Sequence, residues 1–171
     1  MEQDLREQTM DFYRNILKEM GWEERPLSSY SPVTLAYIGD CVFELFVRTK
    51  ILSEGNCAIN KMSYHANFYS KAPTQAKMAE FLMDDLTEEE KTYYRRGRNT
   101  KTHTTAKNSS IIEYRKATGF EAMLGFLYLT GQMERICTLL KKGMEEADEI
   151  RRRSSGRTQC RTRSVPVRKD D

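Results

Sequence analysis

The stretch LAYIGDCVFELFV, residues 35–47, places an aspartate, Asp40, in the middle of an apolar run. A helix that is apolar nearly all round is typical of the centre of a domain. A buried carboxylate is costly unless it is paired, hydrogen-bonded or bound to a metal. A second acid, Glu44, follows one helical turn later. The stretch therefore predicts a central helix whose carboxylate needs a partner from elsewhere in the chain.

The composition indicates one mostly helical domain with a basic tail. The chain has 171 residues, including only 9 Gly and 4 Pro, and long helix-forming side chains dominate. Residues 151–171 carry eight Lys or Arg against two Asp, so this segment has a charge of +6 and the preceding 150 residues have −3. Such a tail indicates a polyanionic partner, although a solvated, disordered end explains the charge equally well. We expect an N-terminal helix and connector over 1–30, the domain over 31–150 and the tail over 151–171.

Cysteine usage and hydropathy point to the cytoplasm. The four cysteines are scattered without a CxxC pair and only two histidines are present, which argues against a disulfide framework and a zinc site. The N-terminal stretch MEQDLREQTM does not have the character of a secretory signal. No apolar run approaches the roughly 18 residues of a membrane span. We therefore expect a cytoplasmic protein that does not enter a membrane.

Apolar periodicity and capping signals predict helices along the whole domain and no strand, and hence an all-α fold. Thr87 and Glu90 form a capping box, Gly97 is expected to end the helix that they begin, and Asn108 or Ser109 is expected to cap the helix after the polar loop 98–110. The helices are predicted over 3–20, 32–52, 60–70, from Pro73 onward, 87–97, 110–130 and 133–150.

A candidate partner for Asp40 lies in ATGFEAMLGFLYL, residues 117–129, where Glu121 is embedded in a second apolar helix. The small residues Ala117, Ala122 and Gly125 would let another helix approach closely. Two facing carboxylates repel each other unless a proton or a cation lies between them. Magnesium prefers oxygen ligands, takes one or two carboxylates and leaves room for a phosphate. Such an ion can activate water against a phosphodiester.

Both acidic segments, LAYIGDCVFELFVR (35–48) and YRKATGFEAMLGFLYL (114–129), resemble the catalytic domain of the ribonuclease III family. The resemblance is to the Mini-ribonuclease III branch, which lacks a double-stranded-RNA-binding domain, and it covers about residues 30–145. The segment SKAPTQAKM (70–78) is also similar, although Pro73 and Thr74 are less typical. The resemblance implies a homodimeric helical bundle and an endoribonuclease that uses magnesium, with manganese as an alternative, on double-stranded RNA. It further implies a stem of the 23S ribosomal RNA precursor as substrate, with 5′-phosphate and 3′-hydroxyl products.

The resemblance assigns roles residue by residue. Asp40 matches the aspartate of the family's signature helix and Glu121 the glutamate of its second acidic motif, which makes both catalytic residues and metal ligands. Full-length ribonuclease III has a further acid one turn before each of them. Ala36 and Thr118 occupy those positions here, a reduction that the Mini branch shares. Thr118 is then expected to hold a metal-bound water.

Cations cluster in and before the 98–110 loop. A-form RNA is recognised mainly through phosphates and 2′-hydroxyls across its wide minor groove, which a cationic loop suits. A solubilising loop is the simpler alternative. Lys61 and Lys71 are weaker candidates for RNA binding. The residues expected to bind RNA are Arg95, Arg96, Arg98, Lys101, Lys107 and Asn108.

Three questions stay open from the sequence. Glu44 either belongs to the site or forms an i,i+4 pair with Arg48, and the pair is the simpler interpretation. Arg48 or Arg115 could also neutralise the two central acids. Two other functions are compatible with the same residues: an RNA-binding module of this fold that does not cleave, and a helical interaction protein with structural acids.

Overall fold

The structure, a computed structural model, describes residues 11–100 and 110–154. Within these ranges the chain is helical and contains no strand, so the predicted all-α fold is confirmed. Short 3₁₀ turns at Leu27–Ser29 and Met83–Asp85 connect some of the helices. The helices are α1 (Phe12–Met20), α2 (Pro32–Ser53), α3 (Ile59–Ser70), α4 (Ala72–Leu82), α5 (Glu88–Arg98), α6 (Ile111–Leu129) and α7 (Met133–Ser154).

Side-chain caps explain where several helices begin. The Ser31 hydroxyl accepts a hydrogen bond from the backbone N–H of Thr34, and Pro32 occupies the first turn of α2. The predicted capping box at Thr87 and Glu90 is present at the start of α5. These local signals place α2 and α5, the helices that carry Asp40 and the arginine cluster.

Three predicted helix boundaries are wrong. Gly97 does not end α5, which continues to Arg98. The cap of α6 is Ser110, which forms a capping box with Glu113, and not Asn108 or Ser109, both of which lie outside the described residues. Helix α7 continues to Ser154, so the first four residues of the expected tail are helical. The prediction of one helix over 3–20 is a fourth that differs: α1 begins at Phe12, and Asp11 caps it by accepting a hydrogen bond from the backbone N–H of Arg14. Residues 3–10 and the rest of the tail lie outside the described ranges.

Gly97 is retained inside α5 because α6 passes directly over it. A Cβ atom at Gly97 would lie 2.6 Å from the Cβ of Ala122 and 2.8 Å from the carbonyl oxygen of Thr118. Glycine is tolerated within a helix, at a cost of about 1 kcal/mol, where another backbone must come this close. The glycine therefore serves packing and not helix termination.

Helices α2 and α6 form the centre of the bundle and share its most extensive contact. A side chain at Gly39 would collide with the backbone carbonyl of Glu121, and one at Gly125 with the carbonyl of Leu35. The two helices therefore cross with their backbones in contact. Phe43 of α2 and Phe120 of α6 meet edge to face beside this crossing, with ring centroids 5.7 Å apart.

A buried ion pair fixes α7 against the start of α5. Glu90 is 2% exposed, and its two carboxylate oxygens accept hydrogen bonds from Arg135 at 2.7 and 2.9 Å. Burial alone would raise the pKa of Glu90, but the hydrogen bonds from Arg135 and Thr87 hold it below its usual value. The pair is therefore structural, and it leaves Asp40 and Glu121 as the central acids without such a partner. Among the described helices, none is long and apolar enough to cross a membrane.

Candidate active site

The crossing of α2 and α6 brings the two predicted acids together. Gly39 lies against the backbone of Glu121, so the next residue along α2, Asp40, is held beside Glu121. The negative charge of Asp40 acts on the Glu121 carboxyl. Asp40 is exposed and Glu121 is only partly exposed. The pair thus has one member open to solvent and one set into the protein.

Both carboxylates are disfavoured as anions. Burial, followed by the charge of Asp40, raises the pKa of Glu121 to about 8, although a hydrogen bond from Gln75 opposes this. Partial desolvation, followed by the charge of Glu44, raises the pKa of Asp40 above its ordinary value. Facing acids of this kind hold a proton or bind a cation.

Among the described residues, no arginine forms an ion pair with Asp40 or Glu121. Arg48 contacts Glu44, with its Nε 3.2 Å from Oε2. Within the part of the chain that the structure describes, neither Arg48 nor Arg115 forms an ion pair with Asp40 or Glu121. The structure therefore does not support the alternative that Arg48 or Arg115 neutralises the two central acids.

Glu44 makes the predicted pair with Arg48, and it makes a second contact that was not predicted. Ser70 at the end of α3 donates a short hydrogen bond to its other carboxylate oxygen. Both oxygens of Glu44 are thus engaged by protein groups. Glu44 still lines the same cavity as Asp40, so it influences the site through its charge and holds α3 against α2.

An open cavity of about 520 Å³ lies between α2 and α3 with Asp40 and Glu44 on its wall. Asp40, and not Glu121, contributes to this wall, which agrees with the greater exposure of Asp40. The remainder is largely apolar and includes Ile51, Leu52 and Met62. A substrate can therefore reach the acidic pair from the side of Asp40.

Gln75 of α4 is a residue of this site that the sequence analysis missed. Its side chain is 1% exposed and interacts with the Glu121 carboxyl in a way that lowers the pKa of that carboxyl. Its carbonyl oxygen Oε1 is buried without a hydrogen-bond partner, which is rare and costly in folded proteins. Helical spacing places Gln75 on the buried stripe of Ala79 and Leu82, and a polar side chain on such a stripe was the available signal.

The residues present fit a hard divalent cation. In the described ranges no group of three or more His, Cys, Asp or Glu could hold a metal, so any ion would depend on the pair of Asp40 and Glu121. One or two carboxylates completed by water are the usual protein ligands of magnesium. The orphaned oxygen of Gln75 is a further acceptor beside Glu121, suited to a hydrogen bond from such a water.

Thr118 is less available than the sequence suggested. Its side chain is buried, and its hydroxyl donates to the backbone carbonyl of Tyr114 at 3.1 Å. Only the lone pairs of its oxygen remain to accept a hydrogen bond from a water. Its role at a metal stays a prediction.

Arg95, Arg96 and Arg98 are exposed on the last turns of α5. Arg95 lies 3.4 Å from Glu88, and the guanidinium of Arg96 lies 5.3 Å from the ring centroid of Tyr93. The contact of Gly97 with α6 holds this turn beside the segment that carries Thr118 and Glu121. The other expected RNA-binding residues, Lys101, Lys107 and Asn108, lie outside the described residues.

Comparisons with known proteins show which chains this one resembles. A sequence profile of the ribonuclease III domain matches residues 33–132. A Mini-ribonuclease 3 of Thermoanaerobacter sp. (strain X514) is 45% identical over 121 residues, which cover 71% of this chain and 85% of that protein. The Mini-ribonuclease 3 of Enterococcus faecalis is 38% identical over 127 residues, 73% of this chain and 96% of the relative. A crystal structure of a Fusobacterium nucleatum protein superposes with a TM-score of 0.63 at 29% identity, covering 68% of this chain and 93% of the other.

Proposed function

The chain belongs to the ribonuclease III family, in its Mini-ribonuclease III branch, and is an endoribonuclease; from this premise we propose that it cleaves double-stranded RNA in a magnesium-dependent reaction at Asp40 and Glu121. The observation that carries the proposal is the juxtaposition of these two carboxylates, which no cationic side chain of residues 11–100 and 110–154 pairs with. Manganese, which also accepts oxygen ligands, would substitute.

The two acids differ in exposure, so they would contact the ion from different sides. Asp40 and Glu121 would hold the ion, Asp40 from the cavity wall and Glu121 from within the protein. When bound, magnesium activates water and neutralises charge on the phosphodiester. Gln75 would help to position the Glu121 carboxylate, whose pKa it lowers. Water attacks phosphorus, the bond from phosphorus to O3′ breaks, and a proton passes to O3′, which leaves a 5′-phosphate and a 3′-hydroxyl.

The arginines at the end of α5 support a nucleic-acid substrate. Arg95, Arg96 and Arg98 present their charges on the turn that packs next to the α6 segment of Glu121. We propose that they bind phosphates of the duplex, together with Lys101, Lys107 and Asn108 from the segment that follows. The resemblance to the Mini branch supports a stem of the 23S ribosomal RNA precursor as the duplex, processed in the cytoplasm.

We also propose that the enzyme acts as a homodimer. Tyr37, which lies three residues before Asp40 on α2, is 81% exposed, and Trp22 is 59% exposed. Both line a largely apolar hollow of about 400 Å³ together with Tyr13 and Leu17. Large exposed apolar patches on a soluble domain mark interaction surfaces. Two sites related by a twofold axis would cut both strands of one duplex.

The test is cleavage of a labelled RNA duplex by the purified chain with magnesium, with manganese and with a chelator. We expect cleavage only with the metals, and its loss in Asp40→Asn and Glu121→Gln, since each variant keeps the shape of the side chain but removes a charged ligand. Asp84→Asn makes the same chemical change at an exposed carboxylate on the Met83–Asp85 turn and should cleave normally. Cleavage in the chelator, or by either site variant at the wild-type rate, would contradict the proposed site.

A further inference from the structure

A second hollow opens beside the Asp40 cavity, where the end of α3 meets the last turns of α7. Its volume is about 340 Å³. The described side chains on its wall include two cations and no carboxylate. The lining residues are Tyr64, Asn67, Phe68, Ser70, Lys71 and Arg151.

Arg151 is held in this hollow by aromatic rings. Its guanidinium carbon lies 5.0 Å from the ring centroid of Phe68 and 5.9 Å from that of Tyr64. Stacking of this kind orients a guanidinium while leaving its charge and its N–H edge available to a phosphate.

The neighbouring arginines of the same helical turn are held differently. Arg152 and Arg153 contact Glu149 at 2.9 and 3.0 Å. Arg151 forms no ion pair with any carboxylate in the described part of the chain. The charge of Arg151 is therefore directed into the hollow and is not neutralised by an acid there.

The two hollows are neighbours, since Asn67 and Ser70 line both. We call the two hollows together the groove: Asp40, Glu44 and Arg48 line its first hollow. Lys71 and Arg151 line its second. An RNA strand whose scissile phosphate lies at Asp40 carries further phosphates to either side, and each of these needs a cation and not an acid.

We propose that the hollow of Tyr64, Phe68, Lys71 and Arg151 is a phosphate subsite, which binds the backbone of the RNA strand that is cut at Asp40. The subsite rests on the proposed function of the Asp40 site and adds residues to it. Arg151 supplies a forked, stacked donor and Lys71 a point charge at the rim. Asn67 adds a neutral polar group.

The affinity of a labelled, blunt RNA duplex for the full chain is measured as a function of salt concentration. The chain carries Asp40→Asn, so that the RNA stays intact. We expect Arg151→Ala and Lys71→Ala each to weaken binding by about tenfold at low salt. The slope of log Kd against log salt should fall by about one for each phosphate that the variant no longer binds. Arg152→Ala is the matched control, because it removes the same charge from the next residue of α7, and it should change the slope little.

In the chain with Asp40 intact, Arg151→Ala should raise KM for the duplex and leave kcat unchanged at saturating RNA. Equal effects of Arg151→Ala and Arg152→Ala would overturn the subsite, since the charge of the helix end alone would then explain binding. If Arg151→Ala fails to fold, the salt dependence of RNA binding by Lys71→Ala tests the same subsite. A wild-type chain that cuts the duplex while both variants keep its salt slope would overturn this inference alone. A wild-type chain that neither binds nor cuts duplex RNA would overturn the proposed function with it.

Discussion

The carboxylate of Glu121 is costly to the folded protein when no metal is bound. Its neighbours are Asp40, which is also acidic, and Gln75, whose single hydrogen bond does not compensate for burial. An enzyme that binds a cation between two carboxylates needs them close together before the cation arrives. The cost in stability and the proposed capacity to bind magnesium therefore have the same origin.

This cost predicts how stability depends on pH. The pKa of Glu121 is about 8 in the folded protein, against 4.5 ordinarily. Between these values the folded state retains a proton that the unfolded chain has lost, so stability falls as the pH rises through this window. Glu90 has a lowered pKa and affects stability only below the window. Chemical denaturation in a chelator should show a smaller fall for Glu121→Gln than for the wild type, and identical slopes would contradict the assignment.

Gln75 allows a second prediction at this scale. Gln75→Leu removes the donor to Glu121 and also the orphaned oxygen, so stability should change little. Cleavage at a fixed magnesium concentration should fall about 10- to 100-fold, as is typical when the partner of a metal ligand is removed. The magnesium concentration for half-maximal rate should rise. Met78→Leu, one turn along α4, is the control. If Gln75→Leu is destabilised but its magnesium requirement is unchanged, the role of Gln75 is structural only.

The sequence predicted Asp40 and Glu121 because a charged residue inside an apolar helix conflicts with its surroundings. Gln75 carries no charge, and its neighbours in TQAKM are mostly polar or small, so the conflict is visible only once the buried stripe is known. Thr118 was expected from the resemblance alone. Its bond to the Tyr114 carbonyl depends on side-chain orientation, which spacing does not determine.

At the scale of the helices, the geometry of the site depends on one backbone contact. Gly39 and Gly125 let α2 and α6 touch, and this contact places Asp40 beside Glu121. A Cβ atom at Gly39 would meet the backbone of Glu121, which cannot rotate away as a side chain can. The placement of Asp40 beside Glu121 and the helix packing are therefore fixed by the same residues.

Gly39→Ala should accordingly destabilise the fold by about 3 kcal/mol or more, as severe overpacking does, and separate the two carboxylates. Gly143→Ala is the matched control, because the added methyl group would meet the flexible end of Met78 at 2.9 Å. It should cost less than Gly39→Ala. Denaturant melts of the two variants compare these costs. Equal costs would contradict the interpretation that the contact of α2 with α6 at Gly39 is tighter than the side-chain contact at Gly143.

Helix positions were predictable and helix contacts were not. Each of the seven helices of the described ranges overlaps a predicted one, because caps and apolar spacing act within a few residues, although α1 begins at Phe12 and not at residue 3. Gly97 was misinterpreted as a stop since its neighbour in space, Ala122, is distant in sequence. A glycine inside an apolar helix, as at Gly39, was an unused signal of close approach.

At the scale of the whole molecule, the proposed RNA groove and the proposed dimer surface lie at different places. The groove carries Asp40, Glu44 and Arg48 in one hollow and Lys71 and Arg151 in the other. The exposed apolar side chains Trp22 and Tyr37 surround a different hollow, which touches α1, α2 and α6. A duplex in the groove and a second copy of the chain on the apolar hollow can thus be accommodated together.

The proposed dimer gives the last prediction. Tyr37→Arg places a charge in the apolar surface that a second copy would cover, and an unpaired charge in an interface is strongly unfavourable. Light scattering should give about twice the 20.0 kDa chain mass for the wild type and one chain mass for this variant. Phe81→Arg changes an exposed aromatic on α4, outside the hollow, and should remain dimeric. Because each subunit would cut one strand, Tyr37→Arg should lose coordinated cleavage of both strands. A wild-type monomer that cuts both strands would refute the dimer.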